Sequence, residues 1–293
     1  MEYHISTDRI GAVGFSAGAN LAADMSFNYL PGTPGAMDAL DHFSSQPDFM
    51  ILAYGSMPMP AGLDSSKIAS LPPAFMFGTV EDAGSMNGMV GLYTSLFRAK
   101  VPVEAHFFRN GQHGTGFAMG DPILGEWPKL MFTWLQAGGF LTDKHQMALS
   151  GTVQLDGKPL LRGMVILTPK DEPTAPPVIV YITNTGTGPL GRFSVPMNQG
   201  PVNGKYRVEV RQDAIRWTSN SRDPFMIDMM AKQRDKTLTD GDTKKWGEYL
   251  RKRDMSPSIE NQKVFSRQHP TDKSEYIVEI KDKKELMLEV FSK

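Results

Sequence analysis

The sequence predicts an α/β module followed by an all-β module. Three observations carry that prediction. Between residues 9 and 137, short apolar runs alternate with longer helix-forming runs, the pattern of a parallel sheet with helices packed on its faces. From residue 150 onward the runs are short and mostly alternate polar with apolar between Gly- and Pro-bearing turns, which favours an antiparallel sandwich. The two stretches also differ in charge: residues 1–147 hold 7 Lys and Arg against 13 Asp and Glu, whereas residues 148–293 hold 24 against 19. A chain of 293 residues exceeds what one growing core serves. The expected division is 1–143, a linker at 144–149, and 150–293, with a helical insertion near 223–254.

In the first module, Arg9-Ile-Gly-Ala-Val-Gly-Phe15 is strand-like, and Ala17-Gly-Ala-Asn-Leu-Ala-Ala-Asp-Met25 is rich in helix formers. Phe49–Tyr54 and Ala74–Phe77 are buried-strand runs bounded by Pro and Gly. Met86–Ala99 carries Met89, Val90, Leu92, Tyr93, Leu96 and Phe97 at helical spacing. Val101–Phe108 is the next strand, and Leu124–Ala137 a helix stopped by Gly138-Gly139. In the second module, Ser150–Leu160 opens with a strand and an Asp156-Gly157 turn, a strong hairpin signal. Strands follow at Gly163–Thr168, Val178–Ile182, Gly191–Val195, Gly204–Val210, Tyr276–Ile280 and Glu285–Val290.

Composition excludes several classes. Hydrophobic residues make up 40% and charged residues 22%, which is neither disordered nor fibrous. No apolar run reaches the roughly 18 residues of a membrane span, and the start lacks a signal-peptide pattern. With no cysteine there is no disulfide framework, thiolate metal site or Cys nucleophile. A net charge of −1 and a pI near 6.6 argue against nucleic acid as a partner.

Gly14-Phe-Ser-Ala-Gly18 sits where the first strand becomes a helix. A GxSxG elbow there holds a serine hydroxyl out at the carboxyl end of the sheet, so Ser16 is the candidate nucleophile. The Ala17 N–H, the next along the chain, is the candidate oxyanion donor. Such a serine needs a base and an orienting acid, in the chain order Ser, acid, His. Of six histidines, His4 precedes the strand, His145 and His269 lie at or beyond the junction, His106 lies within a strand, and His42 sits in a polar stretch. His113 remains, in the loop Asn110–Gly116 directly after a strand. The acid should close the preceding strand, where Phe77-Gly-Thr-Val-Glu-Asp82 offers Asp82, with Glu81 as the alternative. No metal and no cofactor are expected.

Arg9–Gly18, Gln46-Pro-Asp-Phe49 leading to Tyr54, and Leu71-Pro-Pro73 together resemble the α/β-hydrolase esterases of the acetylxylan- and feruloyl-esterase-like type. Val101–His106, Gly111-Gln-His-Gly114, Trp127 and Trp134-Leu135 continue the match, which spans residues 5–141 in family order. The resemblance implies Ser16 as nucleophile, Asp82 (or Glu81) as acid and His113 as base. The implied reaction is hydrolysis of a small ester or acylated carbohydrate such as xylan. It also leans toward a secreted or periplasmic protein.

Family members carry several strands before the nucleophile strand, among them a His-Gly-Gly-type loop with a second oxyanion donor. Here only residues 1–8 precede it. The expectation is therefore an N-terminally truncated hydrolase whose exposed sheet edge can self-associate. The alternative is a non-catalytic surface or binding protein that retains half a hydrolase fold as scaffold.

The second module carries no catalytic constellation. Its Ser150-Gly-Thr-Val, Leu155-Asp-Gly-Lys-Pro159, Gly191-Arg-Phe and Gly204-Lys-Tyr-Arg-Val segments resemble carboxypeptidase-regulatory-like, transthyretin-like modules. That resemblance implies an accessory β-sandwich. Gly186-Thr-Gly-Pro-Leu-Gly191 matches a dinucleotide fingerprint by letter only, because strand-like residues follow it. Lys244–Arg253 reads as a solvated helix with Trp246 and Leu250 turned inward.

Overall fold

Alternating apolar runs build a parallel sheet in the computed structural model, which describes residues 6–57, 65–161, 163–182, 190–212, 224–252, 263–266, 268–269, 274–282 and 285–292. The chain divides into two compact units, Met1–Leu135 and Gln136–Lys293.

The first unit runs β1 (Gly11–Phe15), α1 (Ala17–Phe27), β2 (Phe49–Ala53), α2 (Ser65–Ala69), β3 (Ala74–Thr79), α3 (Ala83–Arg98), β4 (Val103–Phe108) and α4 (Trp127–Ala137), the last reaching into the second unit. The four strands pair in chain order, all parallel, with Gly11 opposite Phe49, Met50 opposite Ala74, and Ala74 opposite Val103.

Period-two alternation sorts the side chains of β2 and β3 onto two faces. Met50, Leu52, Ala74 and Met76 share a buried cluster with Ala19, Ala22, Ala23 and Phe27 of α1 and Met89, Leu92 and Leu96 of α3. Alanines at 19, 22 and 23 let α1 lie close to the sheet, and the 89, 92, 96 spacing gives α3 its apolar stripe. The opposite face is aromatic. Phe77 stacks on Trp127 at 4.7 Å, and Trp134 packs near Phe49 and Phe75. Burying each Leu or Phe in these layers contributes about 1.5–3 kcal/mol. The outer edge of β1 pairs with no strand among the described residues, and Ile10 and Val13 are exposed beside it.

The second unit contains β5 (Leu149–Leu155), β6 (Lys158–Pro159), β7 (Met164–Pro169), β8 (Val178–Tyr181), β9 (Arg192–Val195), β10 (Gly204–Gln212), α5 (Pro224–Arg234), α6 (Asp240–Lys252), β11 (Lys263–Phe265), β12 (Ile277–Ile280) and β13 (Glu285–Val290). One sheet has the order β11-β10-β7-β8, with β12 also on β10; the other has the order β13-β5-β6, with β9 on β5. Inward residues of both sheets, among them Val153, Phe193, Leu288, Val165, Val208 and Ile280, form one buried cluster. Asp156 and Gly157 both take positive φ (49° and 73°), as a tight two-residue hairpin turn requires.

One pairing departs from the antiparallel expectation: β13 runs parallel to β5, with Leu286 opposite Gly151 and Leu288 opposite Val153. Gly151 allows the close approach, since a Cβ there would lie 2.3 Å from the Leu286 carbonyl oxygen. Residues 144–149, read as a linker from sequence, include Gln146, which donates to the Ala137 and Gly200 carbonyls, and Met147, which donates to that of Pro201. In the helical insertion, Trp246 is half-buried with its ring 6.1 Å from that of Phe225, and the Leu250 side chain lies outside the described residues. The fingerprint-like Gly186–Pro189 segment also lies outside them.

Candidate active site

The residue after β1 adopts a backbone that L side chains rarely take: Ser16 has φ 53° and ψ −119°. Such a conformation costs of order 1–3 kcal/mol and persists only where the surroundings enforce it. Three backbone hydrogen bonds do so. The Ser16 N–H donates to the Ala53 carbonyl (2.9 Å), and its own carbonyl accepts from Ala19 (3.0 Å) and Asn20 (3.2 Å), already inside the helical pattern. The turn is tight enough that a Cβ on Gly14 would sit 2.2 Å from the Gly18 carbonyl oxygen. Ala17, the first residue of α1, is exposed, and its N–H has no hydrogen-bond acceptor among the described residues.

His113 lies in the loop after β4, which is fastened at Gly111. That glycine has φ 139°, its carbonyl accepts from Thr79 Oγ1 (2.7 Å), and its N–H donates to Glu81 Oε2 (3.0 Å). From this loop His113 Nε2 reaches Ser16 Oγ at 2.6 Å, and Nδ1 reaches Asp82 Oδ2 at 2.7 Å. The Tyr54 ring meets the imidazole edge-on at 5.3 Å, and its hydroxyl accepts from the Gly116 N–H (3.1 Å). The Trp127 indole N–H donates to the Gly116 carbonyl, which holds the far end of the loop.

Asp82 is the N-cap of α3, yet its carboxylate makes no cap bond and faces the imidazole instead. Burial alone would push this carboxyl up; the hydrogen bond from His113 prevails and, with polar Ser85 beside it, holds the group below the usual value. An ionised Asp82 only accepts, so Nδ1 carries the ring proton and Nε2 is left as an acceptor toward the Ser16 hydroxyl. Chemically, that arrangement can draw a proton from the serine and steady the imidazolium that results.

The sequence-derived candidates thus fall into two groups. His113 lies within hydrogen-bonding reach of both Ser16 and Asp82, with Ala17 beside Ser16. Glu81, the alternative acid, is turned to the Gly111 N–H. His42 contacts the Ala36 carbonyl and His106 contacts Glu104; His4 lies outside the described residues. Three residues that sequence reasoning did not single out also bear on the site. Asn20 accepts from the Met57 N–H (2.9 Å) and donates to Ser56 Oγ (3.0 Å), tying α1 to the turn after β2. Tyr54, at φ 38°, and Ser85 both touch His113. A generic Asp-x-x-Ser spacing was the only sequence trace of Ser85.

No family model and no curated protein matches the chain. Solved structures similar to it include an acetyl ester-xyloside bifunctional hydrolase from Caldicellulosiruptor lactoaceticus, at 27% identity over 47% of this chain and 60% of that one, with a TM-score of 0.43. The carboxylesterase Cest-2923 from Lactobacillus plantarum is 23% identical over 47% and 62%, with a TM-score of 0.38. A thermophilic esterase from Thermogutta terrifontis is 23% identical over 47% and 58%, with a TM-score of 0.36. The chain therefore spans about 60% of the length of these solved proteins. A parallel sheet with helices on its faces and a strand-to-helix elbow at Ser16 fits part of an α/β-hydrolase.

Proposed function

We propose that the chain is a serine hydrolase of carboxylic esters. The observation that carries the reading is the run of short hydrogen bonds from Ser16 Oγ through His113 to Asp82, 2.6 and 2.7 Å long. Ser16 Oγ attacks the ester carbonyl carbon while its proton passes to His113 Nε2. The tetrahedral oxyanion is met by the Ala17 N–H, and Asp82 steadies the imidazolium. His113 then gives the proton to the leaving alkoxide, the alcohol departs, and the acyl group stays on Ser16. Water, deprotonated by the same imidazole, attacks that acyl carbon; the carboxylic acid leaves and the serine is restored.

The sequence resemblance extends the substrate to acylated carbohydrate such as acetylated xylan. The second unit is read as an accessory β-sandwich without chemistry of its own, supported by two sheets that share one apolar cluster. One observation favours a second reading, a non-catalytic scaffold: the outer edge of β1, which leads to Ser16, pairs with no strand among the described residues.

The test is hydrolysis of p-nitrophenyl acetate together with labelling by a fluorophosphonate probe. The unsubstituted chain should do both, and Ser16→Ala should abolish both. Hydrolysis unchanged in Ser16→Ala refutes the nucleophile; a folded chain that neither labels nor hydrolyses leaves the scaffold reading.

A further inference from the structure

We infer that Ser85 is a positioning residue for His113, a second acceptor beside Asp82 that fixes the imidazole in the orientation its proton transfers require. The inference rests on the esterase reading above and deepens it. Ser85 is the third residue of α3 and only 4% exposed, a buried hydroxyl to which the proposed mechanism gives no part. Its Oγ donates to the Tyr54 carbonyl at 2.9 Å, and the same oxygen lies 3.4 Å from His113 Nδ1.

A serine hydroxyl has one proton and two lone-pair directions. With the proton committed to the Tyr54 carbonyl, only a lone pair can face Nδ1. The Nδ1–H therefore has a short branch to Asp82 Oδ2 (2.7 Å) and a long one to Ser85 Oγ. At 3.4 Å the long branch is weak while the ring is neutral. It strengthens when Nε2 takes the Ser16 proton and Nδ1–H becomes a charged donor.

Ser85 acts on a second side of the ring as well. Its bond to the carbonyl of Tyr54 helps hold that residue at φ 38°, the conformation from which the Tyr54 ring edges against the imidazole and its hydroxyl accepts from Gly116. One hydroxyl thus joins the start of α3, the end of β2 and the His113 loop. The groups that face the imidazole are Asp82 and Ser85 at Nδ1, Ser16 at Nε2 and the Tyr54 ring at its edge, while Glu81 bonds the backbone of its loop.

The test compares kcat, KM and the acid limb of the kcat–pH profile for the full chain, Ser85→Ala and Ser85→Cys on p-nitrophenyl acetate, with melting temperatures taken alongside. Ser85→Ala should lose about tenfold in kcat with KM unchanged, as removal of one hydrogen bond to a developing charge predicts. Its acid limb should move to lower pH, because the protonated imidazole loses an acceptor. Ser85→Cys, which keeps the size and a weaker acceptor, should fall between. Parent kcat with an unmoved limb in Ser85→Ala overturns the inference. So does a loss of kcat that follows the melting temperature while the limb stays in place. Ser16→Ala in the same series separates the two readings: hydrolysis that needs Ser16 but ignores Ser85 refutes this inference alone, and no hydrolysis by the unsubstituted chain refutes both.

Discussion

The two glycines of the Gly14-x-Ser16-x-Gly18 elbow are not equivalent, and substituting each by alanine separates them. Gly14 is buried, and a Cβ on it would lie 2.2 Å from the Gly18 carbonyl oxygen, 2.4 Å from its carbon and 2.5 Å from the Ala19 nitrogen. Ordinary contact for such a carbon begins at 3.4 Å, so something must move by about 1.2 Å, and all three obstacles are backbone of the first turn of α1. Forcing that shift costs on the order of 1–3 kcal/mol in packing. Because Ser16 lies between the two glycines, the shift displaces its hydroxyl from His113, and a displacement of about 1 Å costs roughly 10²-fold in rate. Gly18 is the opposite case: it is exposed, helical, and a Cβ there meets nothing within 4 Å. Replacing it by alanine removes the glycine penalty in a helix, up to about 1 kcal/mol.

The expected outcome is that Gly14→Ala lowers the melting temperature by several degrees and kcat by about 10²-fold, whereas Gly18→Ala holds kcat and melts slightly higher. Thermal unfolding followed by circular dichroism and initial rates on p-nitrophenyl acetate measure both. Equal damage from the two substitutions, or an undamaged Gly14→Ala, refutes the reasoning from close backbone approach.

Two further expectations concern the carboxylates. Asp82→Asn should lower kcat by about 10⁴-fold by disturbing the ring tautomer, whereas Glu81→Gln, which keeps an acceptor for the Gly111 N–H, should stay within a few-fold of the parent; steady-state kinetics of the two variants decide which acid serves the imidazole in turnover. Asp82 is held below the ordinary carboxylate value of 3.8, so its contribution to stability is complete above that value and is lost as pH falls below it. Urea unfolding of the parent and Asp82→Asn below about pH 5, where an ordinary histidine is already protonated, should show a stability difference that shrinks as pH falls through the carboxylate range; a difference that grows there contradicts the sign.

Much of the first unit was legible because each of its signals is local. Small residues at 14, 17, 18 and 19 between an apolar strand and an Ala-rich helix fit a tight strand-to-helix turn, and Ser16 then has one position to occupy. His113 could be picked because its loop follows a strand directly. The choice between Glu81 and Asp82 was not legible in the same way. The two carboxylates are adjacent in the turn before α3, and which one meets the imidazole depends on α3 beginning at Ala83, which makes Asp82 its N-cap, and on Gly111 offering an N–H to Glu81. Ser85 and Tyr54 were harder still. Their relevance comes from distances across three elements, and a serine in the first turn of a helix is ordinarily unremarked.

The parallel pairing of β13 with β5 shows why strand direction escapes a pattern that strand position does not. In Glu285–Val290 the even residues Leu286, Leu288 and Val290 are buried and the odd ones exposed, as the alternation requires. That alternation states which face meets the core, and reversing the strand leaves the same faces buried, so the pattern is silent about direction. A Cβ at residue 151 would meet both the Leu286 carbonyl and the Phe193 ring, so only glycine there lets β13 and β9 lie against the two edges of β5 at this point. The Gly151 that opens the second module from sequence as one letter of a family-like motif is therefore a packing requirement, met by residues 42 and 135 positions further along the chain. Information of that kind is present in the sequence but cannot be read until the partners are known.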